Sequence, residues 1–171
     1  MVNEIKSEIG VSKKWPYYDS CLNLVDIKKI TADEVYRFIY YPSFCYQPIV
    51  VTLTRDSSNY NLHFSLFQHQ KSKGCYTITS EFDKKLSSDN WDDLKTKLLF
   101  SDIWGLKTEN GEKESTDGSF LIFSAFISDT TKHHYKDNFC IVYRKDFNSL
   151  RDPLTLALKL SGNTKGCYVI R

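Results

Sequence analysis

From Asp33 onward, apolar and polar positions alternate with a period close to two. Val35, Phe38 and Tyr40 sit among Tyr36, Arg37 and Ile39, a run apolar on both sides that predicts a strand ended by Pro42. Ile49 to Thr54 is β-branched and predicts a second strand; Arg55 to Asn59 is a cluster of turn formers. Leu62, Phe64, Leu66 and Gln68 alternate with His63, Ser65, Phe67 and His69, giving a third strand. After the turn Lys71 to Gly74, Tyr76, Ile78, Ser80 and Phe82 alternate with Thr77, Thr79, Glu81 and Asp83, giving a fourth. Connections this short imply an antiparallel meander.

The period then lengthens. Ser87-Ser88-Asp89-Asn90 offers capping side chains, and Trp91, Leu94, Leu98 and Ile103 follow at helical spacing. This predicts a helix from about Asp89 to Ser101, with acids at the positive end of its dipole. Phe120 to Ile127 and Phe139 to Tyr143 read as two further strands. Asp152-Pro153 predicts a second helix, with the acid as N-cap and proline at the first helical position. Its inner face would be Leu154, Ala157, Leu158 and Ser161, with Gly162 as the stop. Upstream, residues 1–31 form an N-terminal arm in which Ser20 to Lys29 predicts a short helix with Cys21, Leu24, Val25 and Ile27 inward. The expected architecture is a single α+β domain over 1–171. An antiparallel sheet of about six strands would carry two main helices packed on one face, with Trp91, Leu94, Leu98, Leu154 and Leu158 in the core.

Composition agrees. The chain has 171 residues, enough for a core without metal or disulfide staples. Aromatics reach 15%, with 11 Tyr, 11 Phe and 3 Trp, while alanine occurs only at 32, 125 and 157. That balance disfavours a helical bundle and favours sheet. The net charge of +2 is too small to argue for nucleic acid or an anionic membrane. No basic-then-apolar leader opens the chain and no apolar run is long enough to span a bilayer, so a cytoplasmic location is expected. The five cysteines, Cys21, Cys45, Cys75, Cys140 and Cys167, are odd in number and scattered, and free thiols are expected in that compartment.

No motif carries chemistry. His63 and His69 lie six residues apart, about 20 Å along a strand, too far for one metal. Adjacent His133 and His134 would face opposite ways. Nothing resembles a zinc or calcium signature, a nucleophile elbow or a phosphate-binding glycine loop, so neither metal nor cofactor is expected. An unrecognised hydrolase would draw on Cys140 or Ser119 with His133 or His134. Two features suit partner binding instead. Residues 107–119 form a polar, acidic stretch, expected as a mobile loop, in which Glu109, Glu112, Glu114 and Asp117 outnumber two lysines. The aromatic cluster around the first strand offers Tyr36, Tyr41 and Tyr46 as exposed anchors.

Several of these residues also form a pattern: Trp91-x2-Leu94-x3-Leu98, Asp102-Ile103-Trp104-x-Leu106, Asp117-Gly118 opening an apolar strand, Val142-Tyr143-Arg144, and a Leu-rich helix ending Leu160-Ser161-Gly162. With Tyr36-Arg37-Phe38, this resembles a family of small uncharacterised bacterial proteins over about three quarters of the chain. The chain departs from that pattern at Ser124, where an acid is usual, and at Lys145-Asp146-Phe147, where an aromatic-Ser-Pro is usual. The resemblance implies a fold and a bacterial origin, and no activity. The functional expectation is a non-enzymatic binding protein, most concretely an immunity protein that occludes a toxin's active site. A small-molecule or peptide-binding module and a hydrolase are the alternatives.

Overall fold

A computed structural model describes residues 21–42, 47–70, 75–106, 119–128, 139–144 and 148–162. Its six strands are β1 (Glu34–Tyr41), β2 (Ile49–Asp56), β3 (Asn59–Gln70), β4 (Cys75–Lys85), β5 (Phe120–Ile127) and β6 (Phe139–Arg144). They form one sheet in the order β4-β3-β2-β1-β5-β6, antiparallel at every pairing. The first four strands follow the expected meander. The connection after β4 carries helix α1 (Ser88–Phe100) and returns the chain so that β5 pairs with β1. Helix α2 (Arg151–Leu160) follows β6 and packs beside α1.

The local chemistry explains these elements. Asp56 pairs with Asn59 across a two-residue turn in which Ser57 takes φ 53°, and the Asp33 carboxylate accepts the Ser57 N–H at 2.8 Å. Ser87 caps α1, its hydroxyl accepting the Asn90 N–H at 3.2 Å. Helix α2 begins earlier than the Asp152-Pro153 signal implies. A 3-10 turn, Asn148–Leu150, runs straight into it; the N-cap is Leu150, with no side-chain cap. Pro153 is then the third helical residue, tolerated because a first-turn N–H has no partner inside the helix. Gly162 stops the helix at φ +82°, a conformation that favours glycine.

Helix α1 buries Trp91, Leu94 and Leu98, and α2 buries Pro153, Leu154, Ala157 and Leu158. They close over one sheet face made of Tyr36, Phe38 and Tyr40 of β1, Ile49, Val51 and Leu53 of β2, and Leu121, Phe123 and Ala125 of β5. Lys84 on β4 donates to the Leu160 carbonyl at 2.8 Å, which ties the sheet edge to the end of α2. The expected helical stripe is therefore the core.

The second sheet face is apolar too. Ile39, Tyr41, Val50, Phe67 and Ile122 cluster there under Leu22, with Leu24, Tyr76 and Phe120 alongside. Among the described residues the cover is the chain preceding β1, and it is not one helix over Ser20 to Lys29: residues 21 and 22 are helical and the helix stops at Asn23. Asn23 sits at φ 50°, a left-handed conformation that breaks a helix and that asparagine tolerates better than most residues. The chain continues extended to a single 3-10 turn, Ile27–Lys29, capped by Asp26. Leu22 and Ile27 point inward, while Val25, expected inside, is exposed.

A disulfide joins Cys21 to Cys75, with Cα atoms 4.9 Å apart across 54 residues. This corrects the expectation of free thiols at those two positions. The two cysteines meet only because the β3–β4 hairpin brings the start of β4 under the N-terminal cover. Cys140 is free, as expected; Cys45 and Cys167 lie outside the described residues.

Replacing Leu94, fully buried between α1 and the sheet, by alanine is expected to cost about 3 kcal/mol through lost burial and a residual cavity. Leu99→Ala, five residues further along the helix and exposed, is expected to change stability by less than about 0.5 kcal/mol. Urea unfolding distinguishes the two: the midpoint falls for the first variant only, at constant m.

Candidate functional site

The sheet register aligns the polar residues of the second face into a row. Ser124 of β5 lies opposite Arg37 of β1, Arg37 opposite Thr52 of β2, Thr52 opposite His63 of β3, and His63 opposite Asp83 of β4. Arg37 is buried; its Nε donates to Thr52 Oγ1 at 3.1 Å and a terminal nitrogen donates to the Val25 carbonyl at 2.7 Å. The N-terminal cover is thus hydrogen-bonded to the sheet by a charged group, among the stronger kinds of hydrogen bond.

At the other end of the row, His63 Nδ1 is 2.9 Å from Asp83 Oδ1 and its Nε2 is 3.0 Å from Ser65 Oγ. Glu81 Oε2 lies 4.0 Å from the same Nε2. Atom by atom this is the order of a serine–histidine–acid relay, and the sequence reading missed it because only the register brings Asp83 to His63. The surroundings are poor for acyl transfer. Ser65 lies mid-strand, buried, and paired with Val50 on one side and Glu81 on the other. Main-chain N–H groups of the paired strands there serve the sheet. The Asp83 side chain is 82% exposed and orients the imidazole only weakly.

The helix face holds a second polar cluster. The Glu34 carboxylate, 4% exposed, accepts Arg55 at 2.7 Å, Lys95 at 3.0 Å and the Tyr36 hydroxyl at 2.9 Å. Burial, and then the neighbouring Glu34 charge, raise the Tyr36 phenol well above its ordinary value of 10.0. Arg55 Nε and Trp91 Nε1 are buried there with no hydrogen-bond partner among the described residues. On β6, burial pushes the Cys140 thiol from 9.0 up to about 12, so it stays protonated near neutrality. The cluster binds β1, β2 and α1 together.

Tyr36 and Tyr41 are not surface anchors. Tyr36 lies under Trp91, ring centroids 5.7 Å apart, and Tyr41 stacks on Phe120 at 4.2 Å. Both sit on β1, whose every residue is buried because both of its faces are covered. Ser119 accepts the Tyr40 hydroxyl at 3.3 Å. Tyr46, Glu109, Glu112, Glu114, Asp117, His133 and His134 lie outside the described residues. Among the described residues, no group of three or more His, Cys, Asp or Glu could hold a metal, and no helix is long and apolar enough to cross a membrane.

Besides Val25, the described residues expose large apolar side chains in two places. Leu99 is 59% and Phe100 89% exposed, side by side at the C-terminal end of α1. Ile78 and Phe82 are exposed on the edge strand β4. That edge also carries Glu81, Asp83, Lys84 and Lys85, charges that oppose strand-to-strand aggregation.

No family model, curated protein or solved structure matches the chain.

Two outcomes are expected. Ser65 should remain unlabelled by a fluorophosphonate; labelling abolished by His63→Ala would show a working nucleophile. Stability should also fall in alkali. Cys140 and Tyr36 keep their protons to higher pH folded than unfolded, so only the unfolded chain gains by losing them. Their contribution is complete below pH 9.0 and is lost as the pH rises toward about 12. Cys140→Ala should flatten that decline in urea unfolding across the same window.

Proposed function

We propose that the chain is a non-enzymatic protein-binding protein, and most concretely a bacterial immunity protein that blocks a toxin's active site in the cytoplasm. The observation that carries this reading is the Leu99–Phe100 pair. A phenylalanine 89% exposed beside a leucine 59% exposed gives nothing to the fold of the monomer. Burying such a pair against a partner would contribute about 2–3 kcal/mol for the phenylalanine alone. The pair sits on a rigid element: Ser101 Oγ donates to the Lys97 carbonyl at 2.8 Å, and the Ser101 N–H also reaches that carbonyl, at 3.1 Å. Its electrostatic setting suits a basic partner. The C-terminal end of a helix carries partial negative charge, and Glu109, Glu112, Glu114 and Asp117 follow shortly in sequence. A basic nuclease-type cleft would be drawn in by the acids and anchored by the aromatic ring, the division of labour usual at protein interfaces.

The test is calorimetry with the product of a neighbouring gene. Phe100→Ala is expected to weaken binding at least about tenfold while urea unfolding is unchanged. Reversing Glu112 and Glu114 to lysine should slow association and remove its salt dependence. A Phe100→Ala variant that binds and protects as well as the parent would overturn this reading.

A further inference from the structure

Among the described residues, the second sheet face is closed by residues 21–29, helical only at 21–22 and in the 3-10 turn Ile27–Lys29, and that segment is fastened in two different ways. At the end nearest β1 the fastening is non-covalent and extensive. Ile27 is buried, the Val25 carbonyl takes the Arg37 guanidinium at 2.7 Å, and Asp26 caps the 3-10 turn. At the far end Leu22 inserts into the apolar cluster, and the Cys21–Cys75 bond ties the chain to the first residue of β4. Between the two fastenings stand Asn23, at φ 50°, and exposed Val25. The middle of the cover therefore has little regular structure to hold it. Cys75 is half-buried on the outermost strand of the sheet, a position a reductant can approach.

We propose that Cys21–Cys75 is a redox latch on this cover. With the bond closed, Cys21 to Leu24 lies on the sheet and seals the cluster of Ile39, Tyr41, Val50, Phe67 and Ile122. With the bond opened, that stretch swings away about Val25, while Ile27 and the Arg37 contact stay in place. The reductant is a dithiol of the thioredoxin class. One of its thiolates attacks a sulfur of the Cys21–Cys75 bond and forms a mixed disulfide; its second thiol displaces the protein sulfur. Two electrons and two protons pass to Cys21 and Cys75, and the reductant leaves as a disulfide. A small-molecule disulfide of the glutathione type reverses the exchange. The inference does not rest on the partner-binding reading, since Phe100 and the cover are on different elements.

Hydrogen exchange read by mass spectrometry, on the full chain before and after dithiothreitol, tests it. On reduction, the amides of Leu22 to Val25 are expected to exchange at least about tenfold faster, with β1, β2 and β5 unchanged. The Cys21→Ser, Cys75→Ser double variant should show the same fast exchange without any reductant, which separates the latch from the other cysteines. Three results overturn the proposal. Unchanged protection of Leu22 to Val25 after reduction would mean that packing alone holds the cover. Faster exchange throughout β1, β2 and β5 would make the bond a staple of the whole fold. Free Cys21 and Cys75 thiols that glutathione disulfide fails to join would mean that no latch forms.

Discussion

Strand β1 has no polar face, and the rest of the architecture answers that constraint. All eight residues from Glu34 to Tyr41 are buried, so the strand must be covered twice. The sheet does the first part of the work by placing β1 between β2 and β5, away from either edge. Two helices then close the side presented by Tyr36, Phe38 and Tyr40. The side presented by Ile39 and Tyr41 is covered, among the described residues, by the N-terminal segment, which Arg37 and the Cys21–Cys75 disulfide fasten.

The same constraint decides how the buried charges are handled. Glu34 and Arg37 both lie on β1 and both are buried, so neither can be left without partners. Glu34 collects two cations and a phenol, and the cations remain about a third exposed, which keeps their own desolvation small. Arg37 turns to a threonine hydroxyl and a main-chain carbonyl. In both cases the charge ties a separate part of the chain to the central strand, α1 through Lys95 and the cover through Val25. These contacts give position more than net stability, because desolvation offsets much of the attraction in a buried ion pair. The His63 triplet at the exposed end of the polar row is different: its acid stands in water and its serine is buried.

Local signals in the sequence were reliable where the physics is local. Alternation set by the pleat located the strands, and the spacing of Trp91, Leu94 and Leu98, with Ser87 before them, located α1 and its buried face. Asp152-Pro153 misplaced the start of α2, because a 3-10 turn feeds into the helix and the cap is not made by a side chain. The proposed anchors fared differently for a physical reason. Tyrosine reads the same in sequence whether it lies under a helix or at an interface, and Tyr36 and Tyr41 lie inside because β1 is central. The exposed Leu99 and Phe100 were not singled out, although their place off the Trp91–Leu94–Leu98 stripe was already visible in the helical spacing.

The class of fold, the order of strands and helices, and one side of the core follow from periodicity, capping and composition acting within a few residues. Folding at long range sets the rest: β5 inserts beside β1, Cys21 meets Cys75, Asp83 faces His63 and the second face is covered. Each of these joins residues far apart in the chain. Such pairings depend on strand order and register, which no local preference encodes.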